Sequence, residues 1–111
     1  DNNLKALPDS IGGLTALKEL GVSWNKLESL PDAMGGLTAL TRLHVCGNKL
    51  KALPDSIGGL KALKVINLDG NELLTSIPES WLTLGHGFII KLVGTGLSES
   101  DIQRLREMTR H

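Results

Sequence analysis

The sequence predicts an α/β solenoid: a right-handed array of stacked units with a short parallel concave sheet, a 3₁₀ and extended convex side, and a C-terminal capping helix. Three observations predict it. First, ALPDSIGGL occurs at 6–14 and again at 52–60, and SLPDAMGGL stands midway at 29–37. Pro8, Pro31, Pro54 and Pro78 are spaced by 23, 23 and 24, and Asn2, Asn25, Asn48 and Asn71 by 23 each. A fixed period in this range marks a repeat architecture. Second, each unit holds one recurring string: LKELGVSWNKL at 17–27, LTRLHVCGNKL at 40–50 and LKVINLDGNEL at 63–73. Third, LSESDIQRLREMTRH at 97–111 changes character to a helical pattern. Residues 1–97 are therefore read as the repeats and 98–111 as the closing helix.

The elements follow in order. Leu20-Gly21-Val22, Leu43-His44-Val45 and Ile66-Asn67-Leu68 alternate with period two, as strands with one buried face do. No unit can bury its own apolar edge, so the units must stack, with parallel strands about 4.8 Å apart. Asn2, Asn25, Asn48 and Asn71 stand where the chain leaves each strand. An amide both donates and accepts, so these four are expected to form a ladder that satisfies turn backbone. The return segment LPDSIGGL opens on proline, suited to a first helical turn, and its glycine pair stops a longer helix. It should form a short 3₁₀ turn with Ile11, Leu14 and Leu17 directed inward, and Met34 and Ile57 repeating the first of these. GFIIKLVGTGL at 87–97 is a degenerate fourth copy, with Gly87 for the first leucine and Thr95 for the asparagine.

At the C-terminus, Ser98 and Asp101 make a capping-box-like start, with Leu97 and Ile102 at the staple positions. Ile102, Leu105 and Met108 then form one apolar helical stripe. Trp81, in place of Ile or Met, and Leu82-Thr83, in place of Gly-Gly, read as adaptations that shield the end of the core. At the other end the sequence begins inside the recurring string. The expectation is a piece of a longer protein, or one whose N-terminal units are missing, with an uncapped edge open to self-association.

The totals narrow the function. Lys plus Arg equal 12 and Asp plus Glu equal 12, so there is no basic excess for nucleic acid or an anionic membrane surface. One cysteine cannot close an intrachain disulfide. No apolar run reaches the roughly 18 residues of a membrane span.

The recurring string, L-x-x-L-x-L-x-x-N-x-L, is the leucine-rich repeat signature. The chain resembles leucine-rich repeat domains over about residues 2–97. The closing stretch, NELLTSIPESWLTLGHGFIIKLVGTGLSESDIQRLREMT, resembles the end of the repeat domain in bacterial type III secretion effectors of the IpaH/SspH kind. The matching positions are Ile77-Pro78-Glu79-Ser80, Val93-Gly94-Thr95-Gly96-Leu97-Ser98 and the helix that follows. Thr95-Gly96 stands where that family has Asn-Pro, and the 23-residue unit exceeds the roughly 20 usual there. The resemblance implies a virulence-associated, non-catalytic recognition module, secreted into the host cell cytosol, that binds a host protein. Its parent would carry a separate ubiquitin ligase domain. The unit LPDSIGGLTALKEL looks equally like intracellular eukaryotic signalling scaffolds, which would be cytoplasmic.

Outward-pointing residues of the strands should form lateral columns: Glu19, Arg42, Val65, Ile89; then Gly21, His44, Asn67, Lys91; then Ser23, Cys46, Asp69, Val93; and at the strand exit Trp24, Gly47, Gly70, Gly94. Side chains that vary on a repeated frame make a binding surface. The candidate protein-binding residues are Glu19, Gly21, Ser23, Trp24, Arg42, His44, Cys46, Val65, Asn67, Asp69 and Lys91. Trp24 is the best anchor, since tryptophan dominates interface hot spots, although packing on Gly47 accounts for it equally well. Glu19 beside Arg42 reads as a cross-strand ion pair. His44 and Cys46, with Asp69 alongside, invite a cysteine-hydrolase or zinc reading. A flat sheet offers neither the contact of about 3.2 Å that a nucleophile and base need nor four ligands, so no catalytic residue, metal or cofactor is expected. His86 and His111 read as surface residues.

Overall fold

A computed structural model describes residues 3–78, 80, 81 and 89–108, the last by its backbone alone. Asn2, Glu79, Leu82, Thr83, His86, Gly87, His111 and the side chain of Met108 lie outside the described residues. The strands are β1 (Glu19–Gly21), β2 (Arg42–His44), β3 (Val65–Asn67) and β4 (Ile89–Lys91). They form one parallel sheet in the order β1-β2-β3-β4. Three 3₁₀ turns, Asp9–Gly13, Asp32–Gly36 and Asp55–Gly59, line the opposite side, and α1 (Glu99–Met108) closes the chain.

Proline sets the start of each return. Pro8, Pro31 and Pro54 hold φ near −70° and ψ near 150°, identical from unit to unit. The N–H groups of Ile11, Met34, Ile57 and Trp81 each donate to the carbonyl of the proline three residues earlier, at 3.0–3.1 Å. The glycines then let successive turns touch. A Cβ on Gly36 would sit 2.5 Å from the Gly12 carbonyl oxygen, so a side chain there would force the first two turns apart.

The core is a stack of aliphatic layers. Met34, Ile57 and Trp81 occupy one position in three successive units and are wholly buried. Trp81 fills the larger space at the end of the stack. Its indole Nε1 has no hydrogen-bond partner among the described residues, a cost offset by burying the ring. The outermost layers differ. Leu27 and Leu50 are fully buried, whereas their equivalent Leu4 is 47% exposed; in the longer third unit Leu73 is 49% exposed and its neighbour Leu74 takes the buried place. Leu14 was expected inward, and it is instead 51% exposed, while Leu37 and Leu60 at the same position are buried. The reason is stacking: each unit is covered by the one before it, and the first has none among the described residues. Leu17, Leu20 and Val22 are half-buried for the same reason.

The asparagines tie units together. Asn48 Oδ1 accepts the Leu27 N–H at 3.1 Å, while its Nδ2 donates to Val45 O at 2.9 Å and to Val22 O at 3.1 Å. Asn71 repeats the set with Leu50, Leu68 and Val45, and Asn25 reaches Leu4 and Val22. Thr95 takes the fourth position. Its hydroxyl donates only to Leu92 O of its own unit, at 2.9 Å. At α1, the Asp101 N–H donates to Ser98 Oγ at 3.2 Å, and Leu97 and Leu105 are buried against the last unit.

Asn48→Ala should be among the most damaging single changes. It leaves the buried Leu27 N–H without a partner, at about 1–3 kcal/mol, and takes one of two amide donors from each of the Val22 and Val45 carbonyls, which keep Asn25 and Asn71. The expected loss is roughly 3 kcal/mol in urea unfolding, with a smaller loss for Asn25→Ala at the outermost described rung. Equal losses would show that the side chain matters locally and not as a link between units.

Candidate functional site

Alternation along the strands decides which side chains are displayed. Leu20, Leu43, Ile66 and Ile90 face the core, so Glu19, Arg42, Val65 and Ile89 face outward in register. Gly21, His44, Asn67 and Lys91 form the next row. The ladder continues beyond the three-residue strands. Trp24 N–H donates to Cys46 O, Gly47 N–H to Asp69 O and Gly70 N–H to Val93 O, each at 2.8 Å. This keeps Ser23, Cys46, Asp69 and Val93 level as a third row.

The polar groups on this open face pair differently from expectation. His44 Nε2 lies 3.0 Å from Glu19 Oε2, and Arg42 makes no ion pair or hydrogen bond among the described residues. Gly21 explains it. Opposite His44 on β1 there is no side chain, so the imidazole leans across that vacancy to the carboxylate. Both partners are substantially exposed, so the pair adds little stability. The same bond takes the ring nitrogen away from Cys46, whose half-buried free thiol has no hydrogen-bond partner among the described residues. Among the described residues no group of three or more His, Cys, Asp or Glu side chains is placed to hold a metal.

Asn67 and Asp69 do more than line the surface. Asn67 Oδ1 accepts the Asp69 N–H at 3.0 Å, and Asp69 Oδ1 accepts the Val93 N–H at 2.8 Å. These two side chains build the turn and fasten β3 to the strand exit of β4. The sequence position of Asp69 gave no sign of this, because earlier units have Ser23 and Cys46 there.

Trp24, Gly47, Gly70 and Gly94 all adopt positive φ, at 60°, 69°, 79° and 77°. Trp24 is the only non-glycine residue with positive φ among those described. A left-handed conformation costs a non-glycine residue about 1–2 kcal/mol. The indole lies over Gly47, where a Cβ would overlap its six-membered ring, yet the residue remains 59% exposed. One face packs on the neighbouring unit and the other is open to solvent. At the other end of the sheet, Ile89 is 58% and Val93 77% exposed. Both stand in the expected rows but were not among the candidate contacts. Their signal was the alternation in IIKLV, weakened by the degenerate repeat around it.

The family model described as leucine rich repeat matches residues 15–73 and, in a second alignment, 38–97. No curated protein sequence matches the chain significantly. Among solved structures, a leucine-rich repeat protein of Leptospira interrogans is 33% identical, with a TM-score of 0.86, over 96% of this chain and 27% of that one. The leucine-rich repeat domain of the type III effector XopL is 27% identical, with a TM-score of 0.75, over 86% of this chain and 35% of that one. The chain thus spans about a third or less of these two solved chains. Domains of this kind are generally non-catalytic modules that bind other proteins. By its repeats, its single parallel sheet and its family match, the chain belongs to the leucine-rich repeat family.

Proposed function

We propose that the chain is the target-recognition module of a bacterial effector delivered into a host cell, and that a host protein docks on the open, concave face of the sheet. The observation that carries the reading is Trp24. Its three equivalents are glycines, which adopt the left-handed turn at no steric cost, and a solvent-exposed tryptophan there accepts that cost. Strain and exposed aromatic area in one side chain are what a binding anchor needs and what a repeat frame does not. The likeness to the XopL repeat domain supports delivery by a secretion system. Any ligase activity would belong to a further domain of the parent, with this chain presenting its substrate.

Two measurements test this. Trp24→Gly removes both the backbone cost and the ring contact on Gly47, so stability should change by no more than about 1 kcal/mol while partner binding falls. A loss of about 3 kcal/mol or more would make Trp24 a structural residue. In quantitative affinity capture from host lysate, proteins held by the native domain should also be held by the opposite-face variant Asp32→Lys. They should be lost with Trp24→Ala combined with Arg42→Glu. Retention by that double variant would remove the partner from the sheet face.

A further inference from the structure

The charged groups on the sheet face are not balanced in the way their numbers suggest. Glu19 is engaged by His44, and Asp69 accepts the backbone N–H of Val93. Both carboxylates of the face are thus occupied inside the domain. The two cations are not: Arg42 and Lys91 are exposed and make no ion pair or hydrogen bond among the described residues. Lys18 and Lys64, each one residue before a strand, add exposed ammonium groups along the same margin. Among the described residues the face thus holds two cations without partners beside two carboxylates that keep their charge but already have partners.

The two unpartnered cations flank an apolar area. Arg42, Val65 and Ile89 are consecutive in one lateral row, and Lys91 and Val93 follow Ile89 along the last strand. Arg42 and Lys91 thus stand at opposite corners of a patch that holds Val65, Ile89 and Asn67. Two strand spacings and two residues of rise put their Cα atoms about 12 Å apart. In an extended segment residues four positions apart lie about 13 Å from one another and point to the same side.

Resting on the sheet-face reading above, the geometry points to the class of partner: an extended acidic segment of a protein, with two carboxylates four residues apart and an aliphatic or aromatic side chain midway between them, all three on one face. The carboxylates pair with Arg42 and Lys91, and the apolar side chain covers Ile89 and Val65. Arginine favours this role, since its guanidinium takes a carboxylate in two parallel bonds. A basic or purely polar segment would leave both cations unpaired under the ligand.

Selection from a random library of peptides about 12 residues long, displayed on phage and screened against the 111-residue domain, tests the inference. The enriched peptides should carry Asp or Glu four positions apart around a central apolar residue. A synthetic peptide from the enriched set should lose about tenfold or more in affinity against Arg42→Glu with Lys91→Glu, and against Ile89→Asp. Its binding should also weaken as salt rises from about 50 to about 500 mM. Enriched peptides without the acidic pattern, but still lost with Trp24→Ala, would overturn this inference and leave the sheet-face reading standing. Peptides indifferent to every sheet-face substitution would count against both. Failure to enrich any peptide overturns the acidic-segment inference, while the capture comparison decides the sheet-face reading separately.

Discussion

Everything in this fold hangs on one amide. A parallel strand leaves its sheet through a left-handed turn, and at that turn the backbone carbonyls of two neighbouring units and an N–H of the preceding one point inward without ladder partners. A carboxamide at that point has two donors and one acceptor on a short stem, and it satisfies all three. Aspartate lacks the donors and glutamine's longer stem would displace them. The bond set also fixes the spacing of units, because Asn48 and Asn71 hold groups of two units at once. Leucine packing supplies the driving force, but leucines slide over one another, and directional bonds do not.

Reading the period was sufficient for the architecture because two rigid residues mark it. Proline fixes the start of each return and asparagine the end of each strand, so their spacing alone counts the units and places the sheet. Inward and outward positions inside the middle units followed from alternation. The misplaced residue, Leu14, lies in the first unit, where burial depends on a neighbour and not on the pattern.

Side-chain partnership on the sheet face was less legible. Register puts Glu19 opposite Arg42, and a pairwise rule joins them. What decides the bond is the missing side chain at Gly21, which opens a diagonal path for His44. Asp69 looked like a displayed charge because the frame displays that position, and its capture by the Val93 N–H depends on local geometry at the lengthened last unit. Trp24 was legible as an exposed aromatic but not as a strained one. The three glycines in its column were the available clue, since a column of glycine after each strand implies positive φ for all its members.

The threonine at the fourth position has a consequence for motion. Residues of the first three units are cross-linked by amides at every described rung, so they can open only together. Among the described residues the last unit is joined to them by backbone ladder bonds, by the Asp69 carboxylate and by the Ser80 hydroxyl, which donates to the Asp55 carbonyl, and Thr95 makes no bridge of the asparagine kind. The array therefore has a seam between its third and fourth units, where protection from hydrogen exchange should step down. Ile89, Lys91 and Val93 lie on the looser side of that seam, and Trp24 and Arg42 on the tighter side. A ligand that spans the sheet bridges two blocks of unequal stiffness and, on binding, welds them into one.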